Sequence, residues 1–410
     1  MVELSVPRSS SSNALMRYDL IVVGGGLAGS ALAGAMAETG AHVLVLEREH
    51  EFRDRVRGEG MHPWGVPEIR ALGLSEPMKS AGAAEIRWWV TYRGSTLLAR
   101  RDLPETTPFR HGALNFFHPT MQEALLRRAA AAGAEVRRGA TVTEVRPGEP
   151  PAAVVSYGDG QVETMEARLI VGADGRRSRA RQWGGFDTRH DEKRLAITGV
   201  LVKGMKVEEN AIQIFRLPSF GQSVLLFPLG NAGCRAYFVS GRRSEHRWLS
   251  RPSDFGTFLE YCCATGVPAD WLTDVEVAGP LATFEAADSW VETPYRHGVV
   301  LVGDAAASSD PSWGCGLSLM FRDVRTLRDG LTSSTDWQSA AAKYAIEHDD
   351  YYGRLRTVIS WLRTLLYGLG PTADEIREHA FARIAEGPDL VGKGPDNRTD
   401  DAARIQFLGQ

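Results

Sequence analysis

Three short glycine-containing turns hold the residues whose types and spacing could do chemistry. They occupy residues 24–29, 172–175 and 303–306, and each follows an apolar, β-branched run. A buried strand that ends in a glycine turn is typical of α/β sheets, which bind nucleotides at the carboxyl ends of their strands. The sequence therefore predicts that the three turns form one nucleotide site at the edge of a buried sheet.

The first turn has the residues that a diphosphate requires. Gly24 permits the tight turn, Gly26 lets the backbone approach the phosphates, and Gly29 lets the following helix pack close to the strand. Glu47 follows at about the 20-residue distance at which an acid binds the hydroxyls of an adenosine ribose. The chain therefore has the complete β–α–β unit of a dinucleotide site.

Composition and charge exclude several classes of function. The 410 residues include 47 basic and 51 acidic ones, for a net charge of −4, so we expect no nucleic-acid partner. No apolar run reaches the roughly 20 residues of a membrane span. The four cysteines have neither metal-ligand nor redox spacing, so we expect no metal and a reduced, cytoplasmic compartment. An arginine run at positions 176, 177, 179 and 181 is expected to be a solvated helix face.

The periodicity along the chain predicts two sheets. A helix over residues 30–39 and a strand over residues 42–46 complete the first unit, whereas residues 86–92 are typical of a strand in a different sheet. Residues 195–283 have the character of an antiparallel sheet with Gly, Pro and Asn turns. Such a sheet is a natural wall for a substrate pocket, because ligands bind at domain interfaces. Helices are predicted over residues 317–331 and 336–369, with residues 358–369 packed on the body of the protein.

These motifs, in this order, resemble the class A flavoprotein monooxygenases, the group of para-hydroxybenzoate hydroxylase, with squalene epoxidases and flavin-dependent halogenases as relatives. The resemblance covers roughly residues 18–331. Besides the three glycine turns it is carried by Arg57-Gly58-Glu59 with Pro63, by His118-Pro119-Thr120-Met121-Gln122, and by Pro311 with Gly314-Cys315-Gly316-Leu317.

The resemblance implies an α/β fold in which a Rossmann-type FAD-binding domain carries an inserted antiparallel substrate domain and C-terminal helices. The FAD-binding domain is expected over residues 18–85, 112–190 and 284–335. The substrate domain is expected over residues 86–111 and 191–283. Residues 336–386 are assigned to the C-terminal helices, residues 1–17 to a disordered leader and residues 387–410 to a loosely ordered tail.

FAD is the cofactor that the resemblance implies, with NADH or NADPH as co-substrate. Glu47 and Arg48 would lie at the ribose, Arg57 and Gln122 at the pyrophosphate and ribityl region, and Asp174 would organise both FAD and the nicotinamide. Asp304 would contact the ribityl chain, and the backbone of residues 314–317, at a helix N-terminus, would face the pyrimidine edge of the flavin. The residues expected to bind FAD are Gly24, Gly26, Leu27, Ala28, Gly29, Glu47, Arg48, Arg57, Gln122, Val142, Asp174, Asp304, Gly314, Gly316 and Leu317.

The activity that follows from the resemblance is insertion of one oxygen atom of O2 into a small aromatic or other apolar substrate. The nicotinamide would reduce the flavin, and oxygen would be transferred from a flavin hydroperoxide, in secondary metabolism or aromatic degradation. Residues expected near the flavin or the substrate are Pro311, Trp313, His62, Arg216 and Tyr237, with His111 as a further candidate to orient or deprotonate a phenol. Six aromatic residues lie on the predicted sheet, and strand alternation lets about half of them face the pocket: Trp88, Trp89, Phe215, Phe227, Tyr237 and Phe238.

Two other flavin chemistries remain open at this stage. A flavin-dependent halogenase needs a lysine beyond the Gly58-Glu59 segment; Lys79 lies too close to Glu59 and is expected to be a solvated helix end. A reductase of the geranylgeranyl reductase type would saturate a double bond without oxygen. Ala307 stands where many hydroxylases have histidine, so no proton relay is assigned there. The sequence sets neither the oligomeric state nor the choice between NADH and NADPH.

Overall fold

The computed structural model describes residues 18–241, 246–386, 394–397 and 399. The predicted leader over residues 1–17 lies outside the described residues, as does most of the predicted tail over residues 387–410.

The strands and α-helices follow one another along the chain with these bounds. The first strands are β1 (Tyr18–Val23), β2 (Val43–Glu47), β3 (Gly60–Met61), β4 (Ala84–Ile86), β5 (Trp88–Arg93), β6 (Thr96–Asp102), β7 (Ala113–Asn115), β8 (Glu135–Arg138), β9 (Thr141–Arg146), β10 (Ala152–Ser156) and β11 (Val162–Gly172). The later strands are β12 (Thr188–His190), β13 (Leu195–Lys203), β14 (Ala211–Arg216), β15 (Gln222–Pro228), β16 (Cys234–Gly241), β17 (Glu276–Val277), β18 (Ala282–Ala286), β19 (Ser289–Val291), β20 (Tyr295–Arg296), β21 (Val299–Leu301) and β22 (Ala307–Ser308). The α-helices are α1 (Leu27–Ala37), α2 (Val66–Ala71), α3 (Ser75–Ser80), α4 (Leu103–Thr106), α5 (His118–Ala131), α6 (Arg179–Trp183), α7 (Phe255–Thr265), α8 (Gly316–Ser333), α9 (Trp337–Tyr367) and α10 (Pro371–Glu386).

A sheet with a parallel centre carries the three glycine turns. Its strand order is β20-β21-β11-β1-β2-β8; β10 pairs with β11 outside this order and β9 pairs with β10. Strands β21, β11, β1, β2 and β8 run parallel. Strands β1 and β2 are apolar except for Asp19 near the start of β1 and Glu47 at the end of β2, since apolar clusters cover both faces of the sheet. The carboxyl ends of β1, β11 and β21 therefore meet at one edge, as the sequence predicts.

Helix α1 begins earlier than predicted. It spans Leu27–Ala37 rather than residues 30–39, because the Ser30 N–H already donates to the Gly26 carbonyl oxygen at 2.9 Å. It ends before Gly40, whose φ of +86° suits glycine in a tight turn. All its residues are buried, between the sheet and helices α5 and α8. The alanine-rich sequence permits this close packing on several sides.

The second large sheet lies beside the first and corrects two predictions. Its order is β17-β13-β16-β15-β14-β5-β6, with β18 attached to β13. The sheet is antiparallel except that β5 and β14 pair in parallel, which the local sequence pattern did not indicate. Residues 86–92 do not form one strand: β4 pairs with β7 in a small separate sheet, and the chain crosses at Arg87 to the large sheet as β5.

The C-terminal helices pack on the body of the protein as predicted. Helix α9 buries the apolar side chains of its last turns, including Trp361, Leu362 and Leu365, against the second sheet and the loops beneath it. Arg363 does not simply interrupt that apolar face, since its guanidinium lies 3.4 Å from a carboxylate oxygen of the buried Asp310. Within the described ranges, no helix is both long and apolar enough to cross a bilayer.

Candidate flavin and substrate site

The first two glycine turns touch each other. Gly24 has a φ of +103°, and a Cβ at this position would lie 2.6 Å from the carbonyl oxygen of Ala173 in the second turn. At Gly29 a Cβ would lie 2.0 Å from the Gly24 carbonyl oxygen and 3.0 Å from a Val22 methyl group. Only glycine therefore allows the start of helix α1 to approach strand β1 this closely.

Glu47 lies at the end of strand β2, where its carboxylate is held by backbone donors. One oxygen accepts from the Gly25 N–H at 2.7 Å and the other from the Glu49 N–H at 2.8 Å, and the residue is 7% exposed. The acid therefore has a fixed orientation beside the first turn. Arg48 extends away from it, with an exposed side chain whose Nε lies 3.3 Å from the Glu49 carboxylate.

The third turn places Asp304 opposite Arg57. The Gly303 N–H donates to the buried carboxylate of Asp323 at 2.8 Å, which fixes the turn from behind and leaves the Asp304 side chain exposed to the cleft. Surrounding protein atoms raise the pKa of Asp304, and the positive charge of Arg57 offsets part of that shift. Both residues come to the same cleft although 247 positions separate them in the sequence.

The second turn holds its acid as a helix cap. Asp174 accepts through one oxygen from the N–H groups of Arg179 and Ala180, at 2.7 and 3.1 Å, and its other oxygen is buried without a hydrogen-bond partner in the residues described. The prediction that the arginine run forms a solvated helix face is wrong for Arg181, because this residue is only 6% exposed. It donates to the carbonyl oxygens of Arg176 and Ala305, at 3.0 and 3.4 Å, and thereby joins the second and third turns.

The backbone facing the cleft between the turns is open at three glycines. A Cβ added at Gly26 would have only the Gln122 amide nitrogen nearby, at 3.7 Å. A Cβ added at Gly58 or Gly175 would have no atom within 4 Å. Together with the unpartnered Asp174 oxygen, this open backbone fits FAD. The remaining expected FAD residues lie as follows: Leu27 and Ala28 open helix α1, Val142 is buried on β9, Gly314 has a φ of +72°, and Gly316 and Leu317 begin helix α8.

An apolar cavity lies where the second sheet meets the loop after the third turn. It encloses about 740 Å³ of empty space, part of it open to solvent. All five residues expected near the flavin or substrate line it: His62, Arg216, Tyr237, Pro311 and Trp313. Much of the remaining wall is aliphatic, contributed by Met61, Ile197, Ile212, Ile214 and Leu225.

Half of the six aromatic residues on the sheet face this cavity, as strand alternation predicts. Trp89, Phe227 and Tyr237 are part of its wall, whereas Trp88, Phe215 and Phe238 are not. The rings of His62, Trp89 and Trp313 lie together, with each pair of centroids 5.4 to 6.0 Å apart. His111 does not line the cavity, and Lys79 is exposed in the last turn of helix α3.

His62 and Tyr237, the two candidate bases in the cavity wall, already form hydrogen bonds with backbone carbonyl groups. His62 Nε2 lies 2.6 Å from the Trp313 carbonyl oxygen, which can only accept, so this nitrogen carries the hydrogen. Burial lowers the pKa of His62 and raises the pKa of Tyr237 well above its usual value. The Tyr237 hydroxyl donates to the Arg57 carbonyl oxygen. Both groups are therefore neutral and better suited to orienting a ligand than to removing its proton.

Arg216 is the cation of the cavity wall. Its hydrogen-bond partners are the hydroxyls of Tyr367 and of Ser223, the latter at 3.5 Å, and no Asp or Glu pairs with it in the part of the chain that the structure describes. Burial lowers the pKa of its guanidinium. Arginine nevertheless keeps its charge in proteins, so the cavity contains a desolvated positive charge that lacks a counter-ion.

A buried ion pair that the sequence reasoning missed joins the second sheet to the loop beside the cavity. Arg235 Nε lies 2.7 Å from a Glu59 oxygen, with both side chains fully buried, and a second guanidinium nitrogen lies 2.7 Å from Asp54. Between these acids Val56 has a φ of +49°, which is strained for a β-branched residue. An arginine within the apolar strand β16 was the available signal.

Within the described ranges, no group of three or more His, Cys, Asp or Glu side chains is placed to hold a metal ion.

Comparison with known proteins adds three relatives. The chain is 30% identical over 323 residues to a rifampicin monooxygenase of Streptomyces venezuelae, covering 78% of this chain and 65% of that protein. It is 29% identical over 313 residues to a digeranylgeranylglycerophospholipid reductase of Methanopyrus kandleri, covering 74% of each. Against squalene monooxygenase of Mus musculus the identity is 25% over 405 residues, 93% of this chain and 68% of that protein.

Similar solved structures support the fold. The anhydrotetracycline hydroxylase OxyS from Streptomyces rimosus has a TM-score of 0.73 at 21% identity, covering 94% of this chain and 77% of that one. The flavin-dependent brominase Bmp2 also has a TM-score of 0.73, at 17% identity, covering 95% of this chain and 97% of that one. The predicted α/β fold is thereby confirmed.

The family described as FAD binding domain matches residues 17–342, well over half of the chain. That match confirms the prediction of FAD as cofactor, and the monooxygenases among the relatives confirm the resemblance drawn from the motifs. The chain therefore belongs to the FAD binding domain family.

Proposed function

We propose that the chain is an NAD(P)H-driven monooxygenase that inserts one oxygen atom of O2 into an aromatic or other apolar organic substrate. The observation that carries this proposal is the apolar cavity, whose wall includes residues 311–314, in the loop that follows the turn bearing Asp304 and the short strand β22. A substrate in the cavity and a flavin in the cleft would thus be separated by one short loop. Ligands of this kind bind in apolar pockets with a few placed polar groups.

The residues proposed to hold FAD are those that meet at the cleft. Gly24, Gly26 and Gly29 would receive the diphosphate and Glu47 the ribose. Arg57, Gln122 and Asp304 would contact the pyrophosphate and ribityl region, and Asp174 with its unpartnered oxygen would organise the approach of the nicotinamide. When bound, FAD supplies the dioxygen chemistry, which no protein side chain performs alone.

The protein's own contribution is to orient the substrate and to exclude water. The aliphatic wall and the aromatic group of Trp89, Trp313 and Phe227 provide a water-poor space. His62 and Tyr237 are neutral and would orient substrate oxygen atoms rather than act as bases. Ala307 is buried in strand β22, so no side-chain proton relay is proposed at that position.

Arg216 supports a narrower substrate class, an apolar or aromatic compound that carries an anionic group. A desolvated guanidinium without a carboxylate partner is costly, and a ligand anion would offset that cost through charge-assisted hydrogen bonds. The hydroxyls of Tyr367 and Ser223 hydrogen-bond to the guanidinium from outside the cavity wall and would hold it in place for the anion. The opposite end of the substrate would then lie toward the loop of residues 311–314.

Oxidation of reduced nicotinamide by the FAD-loaded enzyme tests both the activity and the substrate class. We expect hydroxylated aromatic carboxylates to accelerate NADH or NADPH oxidation more than their carboxamides do. Arg216→Met should raise the carboxylate concentration needed for half-saturation about 10- to 100-fold, because hydrogen bonds to charged groups contribute about 1.5–3 kcal/mol. The response to the carboxamides should change little.

Arg93→Met is the matched control, because Arg93 lies in register with Arg216 on the neighbouring strand but is exposed outside the cavity. It should behave as the wild type. Equal responses to acids and amides in the wild-type enzyme would contradict the anionic substrate class. Failure of every aromatic compound to accelerate oxidation would argue against aromatic oxygenation itself.

A reductase is the second candidate, favoured by the 29% identity to the digeranylgeranylglycerophospholipid reductase. Such an enzyme would consume reduced nicotinamide without oxygen, so oxygen uptake separates the two. A halogenase is less well supported, because no lysine is among the residues that line the cavity in the described chain.

A further inference from the structure

A buried cluster of three charged side chains and one tyrosine lies behind the loop that separates the cleft from the cavity. We call it the loop-anchor cluster; its members are Asp288, Asp310, Arg363 and Tyr352. The two aspartates are 1% and 0% exposed. Arg363 reaches them from helix α9, with its guanidinium 3.4 Å from an Asp310 oxygen and 4.0 Å from an Asp288 oxygen. None of these residues lines the cavity.

The loop-anchor cluster holds the backbone of the loop directly. The Asp310 N–H donates to Asp288 at 3.2 Å, and the Ser312 N–H donates to Asp310 at 2.9 Å. The Tyr352 hydroxyl donates to the same Asp288 oxygen at 3.1 Å. On the other side of the loop, the Trp313 carbonyl oxygen accepts from His62. The backbone around Trp313 is thus fixed on both sides, which limits where its indole can lie beside the cavity.

Arg363 is the cation that contacts both of these adjacent buried carboxylates. Burial and the charge of Asp310 raise the pKa of Asp288 to about 6. Arg356 and Asp191 lie near this acid from the outer side and form an ion pair with each other. Without Arg363 the two carboxylates would repel, or take up a proton, and the backbone bonds that they accept would weaken.

We propose that Arg363, with Asp288 and Asp310, acts as a positioning device that sets the place of Trp313 between the flavin cleft and the substrate cavity. This inference rests on the proposed function, because it takes the cleft beside residues 314–317 to be the flavin site. The residues of the cluster touch neither substrate nor cofactor and act through the loop. Helix α9 thereby takes part in shaping the active site, although it lies beyond the segment that matched the motifs.

Quenching of tryptophan emission by FAD tests the inference without a substrate. The emission of each apoprotein is recorded before and after reconstitution with FAD, in the wild type and in Trp313→Phe. The FAD quenching of the wild type minus that of Trp313→Phe is the share of the quenching that belongs to Trp313. The same share is then measured, with and without Trp313→Phe, in Arg363→Met, in Arg363→Lys and in Arg354→Met. Arg354 forms a surface ion pair on the same helix.

We expect Arg363→Met to lose most of the Trp313 share, while Arg363→Lys regains a large part of it and Arg354→Met keeps all of it. An unchanged Trp313 share in Arg363→Met would overturn the inference. Should that variant fail to fold, Asp310→Asn decides the question, because it keeps the acceptor for the Ser312 N–H and removes the charge. A Trp313 share of zero in the parent protein would instead overturn the proposed flavin site.

Discussion

Gly29→Ala is expected to yield a protein that retains essentially no FAD. The new methyl group would lie 2.0 Å from the Gly24 carbonyl oxygen, and neither that backbone nor the Val22 side chain at 3.0 Å can move without shifting strand β1. The start of helix α1 must therefore move away from the diphosphate position. Overpacking of this kind costs about 1–3 kcal/mol or more, and the flavin-to-protein ratio after purification, with the melting temperature, measures both effects.

Gly34→Ala is the control within the same helix. A Cβ there would meet the end of the flexible Arg128 side chain at 3.0 Å and the Ala129 Cα at 3.4 Å. The arginine can yield, and alanine favours the helix over glycine by about 0.5–1 kcal/mol. We expect this variant to bind FAD as the wild type does. Equal flavin content in the Gly29 and Gly34 variants would contradict the assignment of the first turn.

The second large effect is expected at the buried ion pair. Arg235→Met removes the cation from between Glu59 and Asp54 and leaves the Glu59 carboxylate buried without a charged partner. Breaking a buried pair from one side costs about 3–5 kcal/mol. Denaturant unfolding of the apoprotein should show this loss in the free energy of unfolding, and the loop of residues 54–59 should lose its fixed position beside the cavity.

Arg146→Met provides the comparison for an exposed ion pair. Its partner is Glu144, at 2.9 Å on the surface, and such substitutions change stability by no more than about 0.5 kcal/mol. Adding Glu59→Gln to Arg235→Met should restore part of the lost stability, since the unpaired charge is then gone. A cost for Arg235→Met no larger than that for Arg146→Met would show that the pair does not stabilise the fold.

Local sequence patterns predicted the glycine turns of the cofactor half of the molecule. A tight turn, a close helix and a diphosphate each demand glycine at fixed spacing, so Gly24, Gly26 and Gly29 could be interpreted without knowledge of the rest of the chain. Strand alternation predicted that about half of the six aromatic residues on the second sheet would face the cavity, and Trp89, Phe227 and Tyr237 do. These predictions depend on residues close together in sequence.

What the sequence could not predict depends on contacts between distant segments. Arg235 and Glu59 are separated by 176 positions, and nothing local pairs one with the other. The parallel pairing of β5 with β14 likewise depends on how the chain crosses between sheets. Arg181 looked like part of a solvated run because its contact with the Ala305 carbonyl oxygen in the third turn joins residues 124 positions apart. The role of Arg363 required the path of helix α9.

The most direct test of the central claim is the visible flavin spectrum of the purified protein during anaerobic addition of NADH or NADPH, followed by air. The account predicts a bound-flavin spectrum that one of the two nicotinamides bleaches and that oxygen restores, with aromatic carboxylates accelerating the bleaching. A protein that binds FAD but is reduced by neither nicotinamide, even with these compounds present, would contradict a self-sufficient monooxygenase and favour a partner-dependent flavoenzyme.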